Sequence, residues 1–286
     1  MPEGSESRMI IRARTVVTMD GAPVNNGAIA VSENRIIDVG EFGEIQKGNA
    51  GEILDLGEQT LLPGLINAHC HLDYTSLRGK IPPRKSFAGW IRAINAEKAT
   101  LSPKDYVNSI NDGFTEARRF GTSTIANLTA FPELIPQIQP PIRTCWFPEL
   151  IDIRAPERAQ ELVDVAIESV DSRPSQSAPW GLAPHALFTA SKELFRSCEE
   201  MAHRDNILLT THLAESRDEM QMFRDASGPL YEFLKNIGRP MDDCGSKAPL
   251  ELFLDLIGMG GSANCSWIIV HLNELAESDF ELLERS

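Results

Sequence analysis

Hydrophobic and polar positions follow two different rhythms along this chain, and the change falls near residue 60. Before it, short β-branched runs are cut by turn residues. "MIIRARTVVTMDG" ends in Asp-Gly, "GAIAVSENRIIDVG" places the polar turn "SEN" between two apolar runs, and "AGEILDLGEQTLLPG" closes the set. Turn signals at this density predict short strands in a small β unit with no helix. Few of its residues are free to build a core, so the unit is expected to pack on another element.

After residue 60, short apolar runs alternate with long amphipathic stretches. "TLLPGLINAH" is followed by a helical region through "FAGWIRAINAEKAT". "SPKDYVNSINDGFTEARRFG" opens with a Ser cap and Pro at the first helical position and stops at Gly121. The runs "TSTIANL", "PPIRTCWFPELI", "APWGLAPHALF", "ILLTTHLAES" and "CSWIIVHLNEL" alternate with the helices "PERAQELVDVAIESV", "TASKELFRSCEEMAHRDN", a region ending in "APLELFLDLIGMG", and "AESDFELLERS". Strands alternating with helices predict βα units and a parallel sheet, which is either an open doubly wound sheet or a (β/α)8 barrel. The strand centres fall near residues 65, 125, 146, 182, 210 and 269. The domains predicted are residues 1–60 and 61–286.

Composition narrows the partners. A net charge of −14 over 286 residues, with no Lys/Arg cluster, excludes a nucleic-acid face. No apolar stretch reaches the ~20 residues of a membrane span. The start "MPEGSESRMII" has no basic segment before an apolar one, so no signal peptide is read. The five cysteines are scattered and form no CxxC pair, which predicts free thiols and a cytoplasmic setting.

Five of the six histidines fall at the C-terminal ends of predicted strands: His69, His71, His185, His212 and His271. Only His203, in a polar helix, does not. Active sites of parallel α/β folds lie at those ends, so the five are expected to converge. An isolated HxH also fits a half-buried strand pair. Positions i and i+2 share a strand face, so His69 and His71 can both point inward while Cys70 packs outward. With His212 from another strand, they offer three imidazoles to a first-row divalent metal such as Zn²⁺. Glu215, three residues after His212, is placed to move a proton between a water and a substrate. His271 is a further ligand or a group that orients the water. His185 is expected to face the substrate, with Arg78, Lys80, Trp90 and Trp146 near the mouth. There is no HExxH and no P-loop. "GMGGSANCS" follows a helix and precedes a strand, the wrong context for dinucleotide binding.

The segments "LLPGLINAHCHL", "GLAPHALFTASKELF", "THLAES" and "WIIVHLNELAESDFELL" resemble the amidohydrolase superfamily. The branch they resemble holds methylthioadenosine/S-adenosylhomocysteine deaminases, guanine deaminase and atrazine or triazine hydrolases. "GAIAVSENRIIDVGE" resembles the small β-sandwich half that precedes the barrel there. The resemblance implies an α/β fold: a metal-dependent hydrolase (β/α)8 barrel with an N-terminal part of a β-sandwich over residues 1–60. It implies one divalent metal, zinc or alternatively iron, on His69, His71 and His212. It further implies proton transfer by Glu215, a water held by His271, and a substrate-facing His185; Trp90, read near the mouth from its residue type, is assigned to substrate binding with it. The reaction implied is hydrolysis of a non-peptide carbon–nitrogen bond, with an activated water replacing the amino group of a purine- or nucleoside-like heterocycle. Chlorohydrolase and aminodeoxyfutalosine deaminase chemistry are the alternatives. The partner implied is a small heterocycle, and the resemblance is compatible with a homo-oligomer.

The family's eighth-strand aspartate ligand has no match. Only about six βα units are placed, the sixth ending at His271, so residues 61–286 are expected to be an incomplete barrel, C-terminally truncated. Its two open edges predict poor solubility or self-association. Activity of the 286-residue chain alone is therefore expected to be impaired, and a non-catalytic binding partner is the competing expectation.

Overall fold

The computed structural model of the chain describes residues 8–172, 179–259 and 266–285. Residues 1–7, and residues 260–265 of the glycine-rich segment with Cys265 among them, lie outside the described residues. The chain divides into two units, Met1–Leu65 and Ile66–Ser286.

In the first unit β1 (Arg8–Val16), β2 (Val24–Ser32), β3 (Arg35–Glu41), α1 (Phe42–Gly48), β4 (Glu52–Asp55) and β5 (Thr60–Leu61) follow one another. The strands form one five-stranded sheet in the order β3-β2-β1-β4, with β5 also paired to β1. The polar turn before β3 carries Glu33 at φ 54°, and the two flanking strands pair antiparallel. The core is small: Ile10, Ala28, Ala30 and Ile45. α1 has no counterpart in the sequence reading. It is seven residues long, contains two glycines, and buries only Ile45, so no periodic apolar stripe announces it.

The second unit carries β6 (Leu65–Cys70), β7 (Thr122–Thr129), β8 (Arg143–Leu150), β9 (Gly181–Pro184), β10 (Leu208–Leu213) and β11 (Trp267–His271). Each strand is bonded to the next in chain order, and β7 to β11 pair in parallel. Between and after them run α2 (Phe87–Lys98), α3 (Pro103–Arg119), α4 (Ala159–Asp171), α5 (Lys192–Asp205), α6 (Arg217–Asp225), α7 (Gly228–Asn236), α8 (Pro249–Met259) and α9 (Glu277–Leu283). The cap read before α3 is a full capping box: Ser102 and Asp105 bond each other's backbone amide, and Pro103 opens the helix. Gly181 is required by close packing, since a Cβ there would collide with the Leu208 carbonyl and the Phe147 ring.

The sheet curls until its first and last strands face each other. The rings of His69 on β6 and His271 on β11 are 5.6 Å apart. This is a nearly closed six-stranded parallel barrel, not an open doubly wound sheet. Leu128, Phe147 and Ala183 form one small cluster, whereas Trp146 packs with Ile110 and Phe114 of α3. Alternation along β8 thus turns Trp146 into the helix layer. At 2 % exposure it is a core residue, not the mouth residue expected. Arg78 is paired at 2.6 Å with Glu116 of α3.

Candidate metal centre and active site

All five strand-end histidines meet at one end of the barrel. His69 packs edge-on against His71, with centroids 5.0 Å apart, and against His212 at 4.9 Å. His185 lies 4.8 Å from His212, and His271 stacks on His212 at 5.4 Å. His203, on α5, is exposed to solvent. Cys70 turns outward, its Sγ 3.6 Å from the Ala126 carbonyl. Burial pushes its thiol up to about 12, so it stays protonated and inert.

The backbone fixes the orientation of His212. Its amide donates to the His185 carbonyl at 2.9 Å, and its Nδ1 lies 2.8 Å from the same oxygen. A carbonyl only accepts, so Nδ1 carries the proton and Nε2 keeps a lone pair. That lone pair faces His71 Nε2 at 3.1 Å. The ligating nitrogens of His69, His71 and His212 lie within 4.8 Å of one another. Burial holds His69 down at about 4, with help from His71 and His271. It holds His212 at about 2 and lowers His71. All three are neutral at pH 7, which is the form that binds metal. Three converging neutral imidazoles, with the lone pair of His212 Nε2 facing His71 Nε2, fit a divalent cation. Among the described residues, this three-histidine group contains no carboxylate.

Glu215 and His271 adjoin the trio. The Glu215 carboxylate stands 3.7 Å from His271 Nε2. Burial, then the charge of Glu149, pushes Glu215 up to about 7. The two strand ends are built with some strain: Ala214 after β10 has φ 50°, and His271 and Leu272 at the end of β11 have φ 83° and φ 52°. The fully buried Glu219 carboxylate accepts from the amides of Ala214 at 3.0 Å and Glu215 at 2.7 Å. Asn273 donates to the Glu215 carbonyl at 3.1 Å. The backbone of Glu215 is thus held from two neighbouring strand ends.

His185 Nδ1 contacts Thr189 Oγ1 at 2.5 Å, and burial pushes the imidazole down to about 3. Trp90 is not brought into contact with the cluster. It is 39 % exposed and stacks on Phe87, whose ring meets Phe188; Phe188 in turn meets His185.

Sequence reasoning missed Glu149. It sits at the end of β8 with its side chain 4 % exposed, 3.8 Å from His71 Nδ1 and 3.7 Å from His185 Nε2. Glu149, His185 and His212 form a second ligand-like group, but His212 has one free nitrogen, and one nitrogen serves one cation. The signal was present in the sequence: Glu149 is two residues beyond Phe147 on the same strand face, at the strand-end level of the histidines.

The chain is similar to known proteins in sequence and in fold. Residues 60–244 match the model of the amidohydrolase family. The 5'-deoxyadenosine deaminase of Methanothrix thermoacetophila is 28% identical over 234 residues, covering 80% of this chain and 54% of that protein. The 5-methylthioadenosine/S-adenosylhomocysteine deaminase of Thermodesulfovibrio yellowstonii is 28% identical over 242 residues, covering 80% of this chain and 55% of that protein. A zinc-bound adenosine deaminase from Xanthomonas campestris superposes with a TM-score of 0.68 at 21% identity, over 98% of this chain and 61% of that one. The chain spans about half the length of the curated relatives it matches.

Proposed function

The chain belongs to the amidohydrolase family, and from that premise we propose that it carries the metal-binding and proton-transfer half of a hydrolase that deaminates an adenosine-like heterocycle. The observation that carries this reading is the 3.1 Å approach of His71 Nε2 and His212 Nε2 beside His69, with Glu215 and His271 next to them.

His69, His71 and His212 would hold one divalent ion. Zinc suits three neutral imidazoles, and iron is the alternative. When bound, such an ion lowers the pKa of a coordinated water toward ~7. The remaining work falls to the protein. Glu215, raised to about 7, can accept a proton from the attacking water and return it to a ring nitrogen, because both of its forms are populated near neutral pH. His271, 3.7 Å from Glu215, would orient that water. His185, kept neutral by burial, would face the heterocycle with Nε2, and Trp90 would stand farther out at the rim. The named relatives act on adenosine-like compounds, which is the support for that substrate class. Among the described residues no helix is long and apolar enough to cross a membrane.

The test is ammonia release from a panel of 5'-deoxyadenosine, methylthioadenosine, S-adenosylhomocysteine and adenosine. The protein is expressed from its complete open reading frame, loaded with zinc, and compared with Glu215→Gln. Release from at least one compound, abolished by the substitution, is the expected result. No release from any of them overturns the deaminase reading and makes halide or amide hydrolysis the next assay.

A further inference from the structure

Among the buried polar atoms without partners at the metal centre, two face each other. Glu149 Oε1 and His71 Nδ1 are both sealed from solvent and make no hydrogen bond, yet they stand only 3.8 Å apart. Buried polar groups are paired in nearly all folded proteins, so each orphan requires a partner. Because Oε1 is sealed, neither water nor substrate reaches it in this arrangement. Its donor must come from the protein.

Two imidazoles are within reach. His185 Nε2 is 3.7 Å from the same oxygen, but it is not one of the sealed, unpartnered atoms, and the other nitrogen of that ring is already held by Thr189. His71 has no such arrangement. Its Nε2 faces His212 Nε2 at 3.1 Å, and His212 Nε2 is a lone pair because its Nδ1 proton points at the His185 carbonyl. For His71 to offer a second lone pair to a cation at that point, its own proton must sit on Nδ1, facing Glu149.

We propose that Glu149 is the positioning residue of His71: its carboxylate accepts the Nδ1 proton and so presents Nε2 bare to the metal. This rests on the metal-site reading above. Closing 3.8 Å to a charge-assisted hydrogen bond of about 2.7–2.9 Å needs a shift of roughly 1 Å. A cation binding at Nε2 favours that shift, because it makes the Nδ1 proton more acidic. Carboxylates that hold the far nitrogen of a ligating histidine are worth about 10–100-fold in metal affinity.

The experiment compares the wild-type chain with Glu149→Gln by competitive Zn²⁺ titration against a chromophoric chelator, and follows the His71 Nδ1 proton by ¹⁵N–¹H NMR in the zinc-loaded protein. The expected result is a roughly 10–100-fold weaker zinc affinity in E149Q, an unchanged metal-free melt, and faster exchange of the His71 Nδ1 proton than in the wild type, because the uncharged amide oxygen is the weaker acceptor. Equal affinities overturn the assignment. So does a weaker affinity with the Nδ1 proton exchanging as in the wild type, which would mark a charge effect spread over the site. If E149Q melts without cooperativity, Glu149→Asp decides: intermediate affinity supports the pairing, and wild-type affinity overturns it. A wild-type chain that takes up no zinc is distinguishable from all of these, and it removes both this inference and the metal centre beneath it.

Discussion

His71 Nε2 and His212 Nε2 lie 3.1 Å apart, although β6 and β10 are separated by three other strands in the sheet order. Only a strongly curled sheet brings such positions together, so this contact reports barrel curvature and ligand convergence at once. Two neutral imidazoles at this distance are favourable in only two ways. One nitrogen donates to the other, or both donate lone pairs to a third centre. The His212 tautomer leaves the choice to His71, and a divalent cation makes the second arrangement the stable one.

Removal of a ligand is the first consequence. His69→Ala, His71→Ala and His212→Ala are each expected to weaken zinc binding by more than the roughly 10–100-fold typical of an outer carboxylate. His203→Ala, exposed on α5, should leave it unchanged. Competitive chelator titration reads both. Equal affinity in all four variants would remove the metal centre from these three histidines.

Glu215 separates proton transfer from metal binding. Its carboxylate stands next to His271 and is not one of the three clustered ligands. Glu215→Gln is therefore expected to lower kcat for deamination by roughly 10²–10⁴-fold while zinc affinity stays at the wild-type level. A matched loss of zinc affinity would recast Glu215 as a ligand.

Much of this architecture was legible because it rests on periodic signals. The six barrel strands lie where the apolar runs do, and the histidines at their ends are brought into one cluster. α1 was not legible, because one buried Ile45 in seven residues produces no stripe. Trp146 was misplaced because residue type was allowed to outweigh strand parity. Its neighbour Phe147 faces the other way, and so does Glu149, hidden in "FPEL" as an ordinary acidic residue until the sheet is folded. Trp90 was assigned to the substrate from its chemistry, and its ring partner is Phe87, a contact that no periodicity in α2 announces.

Trp146 offers a check on that correction. Its indole is 2 % exposed and meets Phe114 edge-on at 6.2 Å. Trp146→Ala should cost about 3–5 kcal/mol of unfolding free energy, as large-to-small core changes do, with zinc affinity unaltered. Denaturant unfolding followed by far-UV circular dichroism measures the first and chelator titration the second. A variant of wild-type stability with altered substrate KM would return Trp146 to the mouth.

The Glu219 carboxyl makes stability depend on pH in a direction opposite to that of the histidines. Burial pushes Glu219 from its ordinary 4.5 up to about 8, opposed only in part by the amides of Glu215 and Ala214. A carboxyl raised on folding holds its proton more tightly in the native state. The stability it contributes is therefore present in full below 4.5 and lost as pH rises through about 8. His69, His185 and His212 are depressed from 6.5 to about 4, 3 and 2, so they cost stability as pH falls below 6.5 and are silent above it. Above that point the groups raised on folding act, among them Asp73, whose buried carboxyl on the turn after His71 is pushed up to about 7, Glu215, also at about 7, and Glu219 at about 8. The metal-free chain is expected to melt at progressively lower temperature from about pH 6.5 to about pH 8.5. Asp73 and Glu215 have largely titrated by the upper half of that interval, so the decline there belongs mainly to Glu219. Glu219→Gln cannot ionise. Whatever it loses at every pH by giving up one of two amide contacts, its melting curve should fall less steeply over the upper half. Thermal melts of both proteins in chelator across the interval measure the two slopes. Parallel curves would mean that Glu219 is already ionised in the native state and that the Ala214–Glu215 turn is held by a charge, not by a neutral acid.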